Sequence, residues 1–217
     1  MEVLKKLMSI SLYKTIRFNL HYFSKGGVIR PYVLITRSVE LKNLQGEFEI
    51  SEPTFGCVKI GFPTVVLVEG SNRKTVFANS GRIIIDKKAN FGRGTVIRNK
   101  GRMMFGEGFS CTGNTQIICS SDIVFGKQCL ISWDVLLMDD DQHRILDDSN
   151  NVINKPQPIV IGDDVWIGCR VTVLKGAEIP NGNVVAAGSL ICGKHKEPGA
   201  VITSEKKVIR RGVKWKK

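Results

Sequence analysis

The chain has 217 residues, 42% apolar and only 7% aromatic, with 22 glycines and a formal charge of +12. That length buries a core in one large domain or two small ones. The positive charge suits phosphates, anionic glycans, nucleic acid or an anionic membrane face, and does not choose among them. Six cysteines (Cys57, Cys111, Cys119, Cys129, Cys169 and Cys192) include no CxxC pair. Most lie in apolar or Gly-flanked stretches, which argues against a zinc site and for reduced, packed thiols in a cytoplasmic protein.

The first segment, MEVLKKLMSISLYKTIRFNLHYF, is apolar but broken by Lys14 and Arg17. The run is too short for a membrane span or a signal-peptide core and is expected as an amphipathic helix. Such a helix either packs on the end of the domain or lies on a membrane surface. Residues 1–55 are expected as an N-terminal segment or cap; strand-like FEI, with CVKIGF just beyond the segment, points to an irregular first coil or cap.

A repeat then sets the architecture. Ile85, Phe105 and Phe125 are twenty residues apart, as are Phe91, Cys111 and Ile131, and Ile97, Ile117 and Leu137. Within each set of twenty the apolar positions step by six, six and eight. This predicts three short strands per turn, with two extra residues at one corner. Gly92, Gly106 and Gly126 follow inward positions, where a corner wants no Cβ. From Ile161 the period is a strict six: Ile161, Ile167, Val173, Ile179, Val185 and Ile191. Neither helix nor strand alternation gives that period. A solenoid does, with coils stacked at about 4.8 Å, whereas sandwich strands do not recur at a fixed six.

Between the two repeats the stretch 139–158 breaks the spacing, is rich in Asp and Asn and contains KPQP. It is expected as an extruded loop. Its start, MDDDQHRILDD, sets five aspartates around His143. One histidine and no second cluster make a poor metal set, so none is expected.

The run IGDDVWIGCRVTVLKGAEIPNGNVVAAGSLI resembles the hexapeptide-repeat acyltransferases. The resemblance spans residues 85–210 and is strongest over 159–191. It implies an all-β fold, a left-handed parallel β-helix over 56–203, with a basic tail at 204–217. The stretches ISWDVLLMDDDQH and PIVIGDDVWIG are most similar to bacterial sugar and polysaccharide O-acetyltransferases. Transfer of an acetyl group from acetyl-CoA to a sugar or polysaccharide acceptor is the implied activity, with a homotrimer as the implied assembly. His143 matches the family's catalytic base. A neutral imidazole suits removal of a hydroxyl proton near neutral pH. Either Asp141 or Asp139 orients it, or these carboxylates meet sugar hydroxyls; Asp147 and Asp148 read as solvated.

The resemblance also implies a pantetheine path along Gly168, Cys169, Ala187 and Ser189, whose bland reading is hexad packing. Trp166 either stacks on sugar or cofactor or packs between subunits. Lys194 and Arg210, with Lys207 beside them, match positions that meet the CoA phosphates. A one-residue insertion leaves Lys194 and Lys196 as alternatives. Asn114, one coil before the loop, is a candidate sugar contact or a rung of an internal ladder. Two competing readings remain at this stage: an N-acyltransferase acting on an amino-sugar nucleotide, and a non-catalytic binding scaffold. Nucleic acid is not expected as a partner, since no interleaved aromatics or known motif accompany the charge. The expected location is the cytoplasm, at the inner membrane face if the N-terminal helix lies on lipid.

Overall fold

Inward residues that recur at a fixed interval must stack on one another if successive coils are parallel. A computed structural model describes residues 8–24, 28–63, 73–204 and the backbone of 208–210, and it shows this stacking. Three sheets of nine, seven and six strands form the faces of a β-helix. Their ladders are parallel, except that the last strand, Val208–Arg210, runs antiparallel to Val201–Ile202. Each coil visits the first, second and third faces in turn.

Every expected column is present. Ile85 pairs with Phe105, Phe105 with Phe125 and Phe125 with Ile161. Phe91 pairs with Cys111, Cys111 with Ile131 and Ile131 with Ile167. Ile97, Ile117, Leu137 and Val173 form the third column. All of these are fully buried or within 1% of it. Phe105 joins the columns: it stacks on Phe125 at 5.2 Å and meets Phe91 edge-on at 5.1 Å. Parallel strands exposed on one face are unusual. Here the triangular section gives every strand the same buried interior, so each coil completes its neighbour's core.

The edges explain the glycines and the unusual polar residues. A Cβ on Gly92 would come within 2.3 Å of the Thr112 carbonyl oxygen, and one on Gly106 within 2.4 Å of the Gly126 backbone. The edge between the first and second faces carries a column of left-handed residues: Gly94, Asn114, Asp134, Arg170 and Gly188. Asn and Asp tolerate that conformation better than other side chains. Asn114, with φ of 51°, is therefore an edge residue first.

The solenoid begins earlier than the repeat announced. Val33–Ile35 already pairs with Val58–Phe62, and Glu47–Ile50 with Arg82–Ile85. The early coils have longer excursions and register shifts, between Leu41 and Asn43 and between Ile60 and Phe62, which hide the spacing. The helix Leu12–Phe23 closes this end. Ser11 caps it, its side chain accepting from the Lys14 amide. Phe18 is fully buried and meets Phe48 and Phe77 edge-on. Asn19 donates to the Val33 carbonyl and accepts from the Val33 amide, satisfying the first strand's open side. Packing on the domain end is thus what this helix does with one of its faces.

Candidate active site

The loop leaves at the edge between the second and third faces. Inside that edge runs a polar column, Asn79, Asn99, Cys119 and Asp139, each 2% exposed or less. In the coils below, the amides turning this corner donate to the next coil's carbonyls: Lys100 N–H to Cys119, and Arg102 N–H to Ser121. Above Cys119 the chain departs into the loop, so the equivalent carbonyls are missing. The Asp139 carboxylate replaces them. It accepts from the amides of Ser120, Ser121 and Asp122 at 2.7 to 2.8 Å, and Cys119 Sγ donates to it at 3.4 Å. The expected sugar contact at Asp139 is therefore corrected: this side chain is fully buried and its oxygens are occupied. Burial, reinforced by the Asp139 charge, pushes the Cys119 thiol far up, so it stays a neutral donor.

Gln157 N–H donates to the Asp139 carbonyl at 3.1 Å and closes the loop's base. Above it stands a clamp. Lys175, on the following coil, reaches Asp141 at 2.5 Å and the Asn154 carbonyl at 3.1 Å. Asn154 is 8% exposed. Its amide donates to Asp141 at 2.9 Å and to the His143 carbonyl at 2.8 Å, and its oxygen accepts from the Ile145 amide at 2.7 Å. Asp140, also buried, holds Arg144 at 3.0 Å. Four backbone or charged groups around His143 are thus fixed, while the imidazole itself is exposed and makes no hydrogen bond among the described residues. Beyond this base the loop is a small hairpin, bridged from Leu146 to Val152 and turned by Asp147, which accepts from the Ser149 and Asn151 amides.

Asp141 differs from its expected place. Its carboxylate meets Lys175 and Asn154, not the imidazole, so it reaches His143 only through the backbone. Asn154 and Lys175 were not singled out from sequence. Their partners lie 9 to 34 positions away, across a loop with no period.

The other candidates sit elsewhere on the prism. Trp166 is on the first face, between Leu130 and Val184, 38% exposed and pinned by its Nε1 to Ser132 Oγ at 3.0 Å. Gly168, Cys169 and Ala187 line the edge between the first and second faces. Gly168 is small for a local reason: a Cβ there would meet the Ala187 amide nitrogen at 2.7 Å. Ala187 and Gly188 are exposed, whereas Ser189 is 5% exposed and continues the inward column of Thr95, Thr115, Val135 and Val171. Lys194 lies on the loop's own edge, 68% exposed and paired with Glu178 at 2.5 Å. The side chain of Arg210, and Lys207 entirely, lie outside the described residues. No cluster of three metal-ligating side chains occurs among the described residues. One chain therefore carries two separate groups: the loop edge, with His143, Asp141, Lys175 and Lys194, and the opposite edge and face, with Trp166, Cys169 and Ala187.

No protein-family model matches the chain. The chain is 27% identical over 126 residues to a polysialic acid O-acetyltransferase of Escherichia coli O1:K1, covering 57% of this chain and 41% of that protein. It is also 27% identical over 165 residues to a putative lipopolysaccharide biosynthesis O-acetyl transferase of Escherichia coli K12, covering 71% and 79%. The crystal structure of the polysialic acid O-acetyltransferase OatWY superposes with a TM-score of 0.54 at 21% identity, covering 83% of this chain and 88% of that one. The chain is thus a distant homologue of acetyltransferases and shares their β-helix.

Two predictions follow from the loop's base. Asp139→Ala strands three part-buried amides at about 1–3 kcal/mol each. Chemical denaturation should show a loss of at least about 3 kcal/mol, with a smaller loss for Asp139→Asn; a change below about 1 kcal/mol contradicts the role assigned. Lys175, first, and then Asn154 hold the Asp141 carboxyl below its ordinary value of 3.8. With a depressed folded value, the clamp's contribution is complete above that ordinary value and is lost as pH falls through the lower one. Hydrogen exchange at the Ile145 amide, corrected for intrinsic rate, should be flat from about pH 5 to 8 and accelerate only below about pH 4.

Proposed function

We propose that the protein is an acetyl-CoA-dependent O-acetyltransferase acting on a sugar hydroxyl of a surface polysaccharide, capsular or envelope, or of its precursor. The observation that carries this reading is an exposed imidazole on a loop whose base is rigidly held. His143 has its backbone carbonyl bound by Asn154 and neighbours on both sides anchored, by Lys175 at Asp141 and by Asp140 at Arg144. The relatives named for polysialic acid and lipopolysaccharide acetylation supply the substrate class.

In this mechanism the His143 imidazole takes the proton from the acceptor hydroxyl as its oxygen attacks the acetyl carbonyl carbon. The thioester carbonyl becomes a tetrahedral oxyanion, which a backbone N–H lining the groove stabilises. Collapse breaks the carbon–sulfur bond, and the imidazolium gives its proton to the departing thiolate. The products are the acetyl ester and free CoA, with no covalent enzyme intermediate. Asp141 acts as a positioning residue through Asn154. Lys194 and Arg210 would meet the CoA phosphates, for which Lys194 must exchange its contact with Glu178.

A trimer completes the site. The loop edge of one copy would face the Trp166, Cys169 and Ala187 surface of the next, bringing together the two groups that a single chain holds apart. Trp166, fixed by Ser132, would then offer an indole face to sugar or pantetheine.

The helix Leu12–Phe23 supports a place at a membrane face. Opposite its packed side it exposes Leu12, Tyr13, Ile16 and Leu20, continued by Met8. Residues 1–46 hold eight Lys and Arg against two Glu. An apolar stripe bordered by cations suits an anionic bilayer surface. Among the described residues no helix is long and apolar enough to cross one.

His143→Ala should lower CoA release with a polysaccharide acceptor by about 100-fold or more, with an unchanged melting temperature because the ring is exposed and makes no hydrogen bond among the described residues. Retention of full turnover would falsify the base assignment. In vesicle cosedimentation, the protein should pellet with phosphatidylglycerol and not with phosphatidylcholine alone. Ile16→Glu should return it to the supernatant; equal pelleting of the variant rules out this face as the contact.

A further inference from the structure

The edge between the third and first faces, near the N-terminal end, holds a cavity of about 510 Å³. It shares no residue with the loop or with the Trp166 surface. Its polar floor is a row across three adjacent strands: Lys59 pairs with Asn90, and Asn90 with Ser110. The row is bounded by Leu34 on one side and Leu130 on the other. At strand spacing it spans roughly 10 Å, about the length of a disaccharide.

Three features of the lining are unexplained by folding. Phe55 is 76% exposed at the rim, with no packing reason to be aromatic. Lys59 and Lys88 are exposed and form no ion pair among the described residues, although acids are near. Those acids are taken: Lys87, not Lys88, bridges Glu52 at 3.3 Å and Glu107 at 3.7 Å. Finally, Asn90 Oδ1 is shielded from solvent and has no hydrogen-bond partner. Solvated lysines alone are ordinary surface. Two unpaired ammonium groups, an exposed ring and an orphaned acceptor in one concavity are a recognition set.

We infer that this cavity is a second carbohydrate site, which binds a segment of an acidic polysaccharide away from the reacting centre. The Phe55 ring would stack on the C–H face of a pyranose. Lys59 and Lys88 would meet carboxylates on successive sugars. Ser110 would bond a ring hydroxyl, and a half-turn of the Asn90 amide, whose Oδ1 is now shielded and without a partner, would bring that acceptor to a second. Neutral glycans lack the partner for the lysines, and nucleic acid would call for a longer basic track than this short row bounded by leucines. Such a site holds a long acceptor near the enzyme and raises the local concentration of its hydroxyls at the loop. Binding here needs no catalytic competence, so it stands or falls separately from the reaction proposed above.

The test is fluorescence anisotropy with labelled oligomers of sialic acid and of galacturonic acid, titrated with the full chain. At least one should bind, with affinity falling as salt rises. Phe55→Ala and Lys59→Glu should each weaken it about 10-fold or more. Lys100→Glu, the same charge change on another edge, should leave it within about twofold. The inference is overturned if neither acidic oligomer binds. It is also overturned if Lys59→Glu and Lys100→Glu weaken binding equally, or if maltohexaose binds as tightly as the acidic chains.

Discussion

A solenoid satisfies the amides of each coil with the carbonyls of the next, so any departure of the chain leaves donors without acceptors. In this protein the departure is at Met138, and the Asp139 carboxylate fills the gap by accepting from the Ser120, Ser121 and Asp122 amides. Three charge-assisted bonds inside a low-dielectric edge are a strong substitute for missing backbone. The remaining features of the candidate site rest on this substitution. It lets a 139–158 loop leave without unravelling the coil beneath, and it fixes the point from which His143 is presented.

Above that point the chain is held by side chains rather than by a ladder. Lys175 lies on the coil that resumes after the loop, and by meeting both Asp141 and the Asn154 carbonyl it ties the outgoing strand to the incoming one. Asn154 then uses both ends of its amide, bonding Asp141, the His143 carbonyl and the Ile145 amide. The imidazole is left free on a fixed backbone, the condition a general base needs before a substrate arrives. Because the edges of a triangular coil point apart, one chain holds its Trp166 surface on a different face from its loop edge, and in the proposed trimer a neighbouring copy would supply that surface.

Much of this was legible in the sequence because a solenoid interior repeats. Phe91, Cys111 and Ile131 stack because they occupy one position in successive coils, and their spacing survives translation into structure unchanged. The same logic would have exposed Asp139: Asn79, Asn99, Cys119 and Asp139 are also twenty apart. The cluster of five aspartates drew that residue into the site instead, although its side chain points inward. The first coils were hidden by longer excursions and by the register shifts near Asn43 and Phe62. The clamp was hidden for a different reason. Asn154 and Lys175 meet across a loop, where no periodicity relates partners. For Ser189, the inward column it occupies accounts for a small residue as well as a ligand path does.

In the proposed enzyme, His143 on the loop edge meets the acyl donor on a neighbouring chain's surface. A crystal structure with CoA bound tests it most directly. The expected result is a trimer with the CoA thiol within about 3–4 Å of His143 at an interface, the pantetheine arm running past Cys169 and Ala187 of the adjoining copy. A thiol lodged away from His143, or CoA bound wholly within one chain, would contradict it.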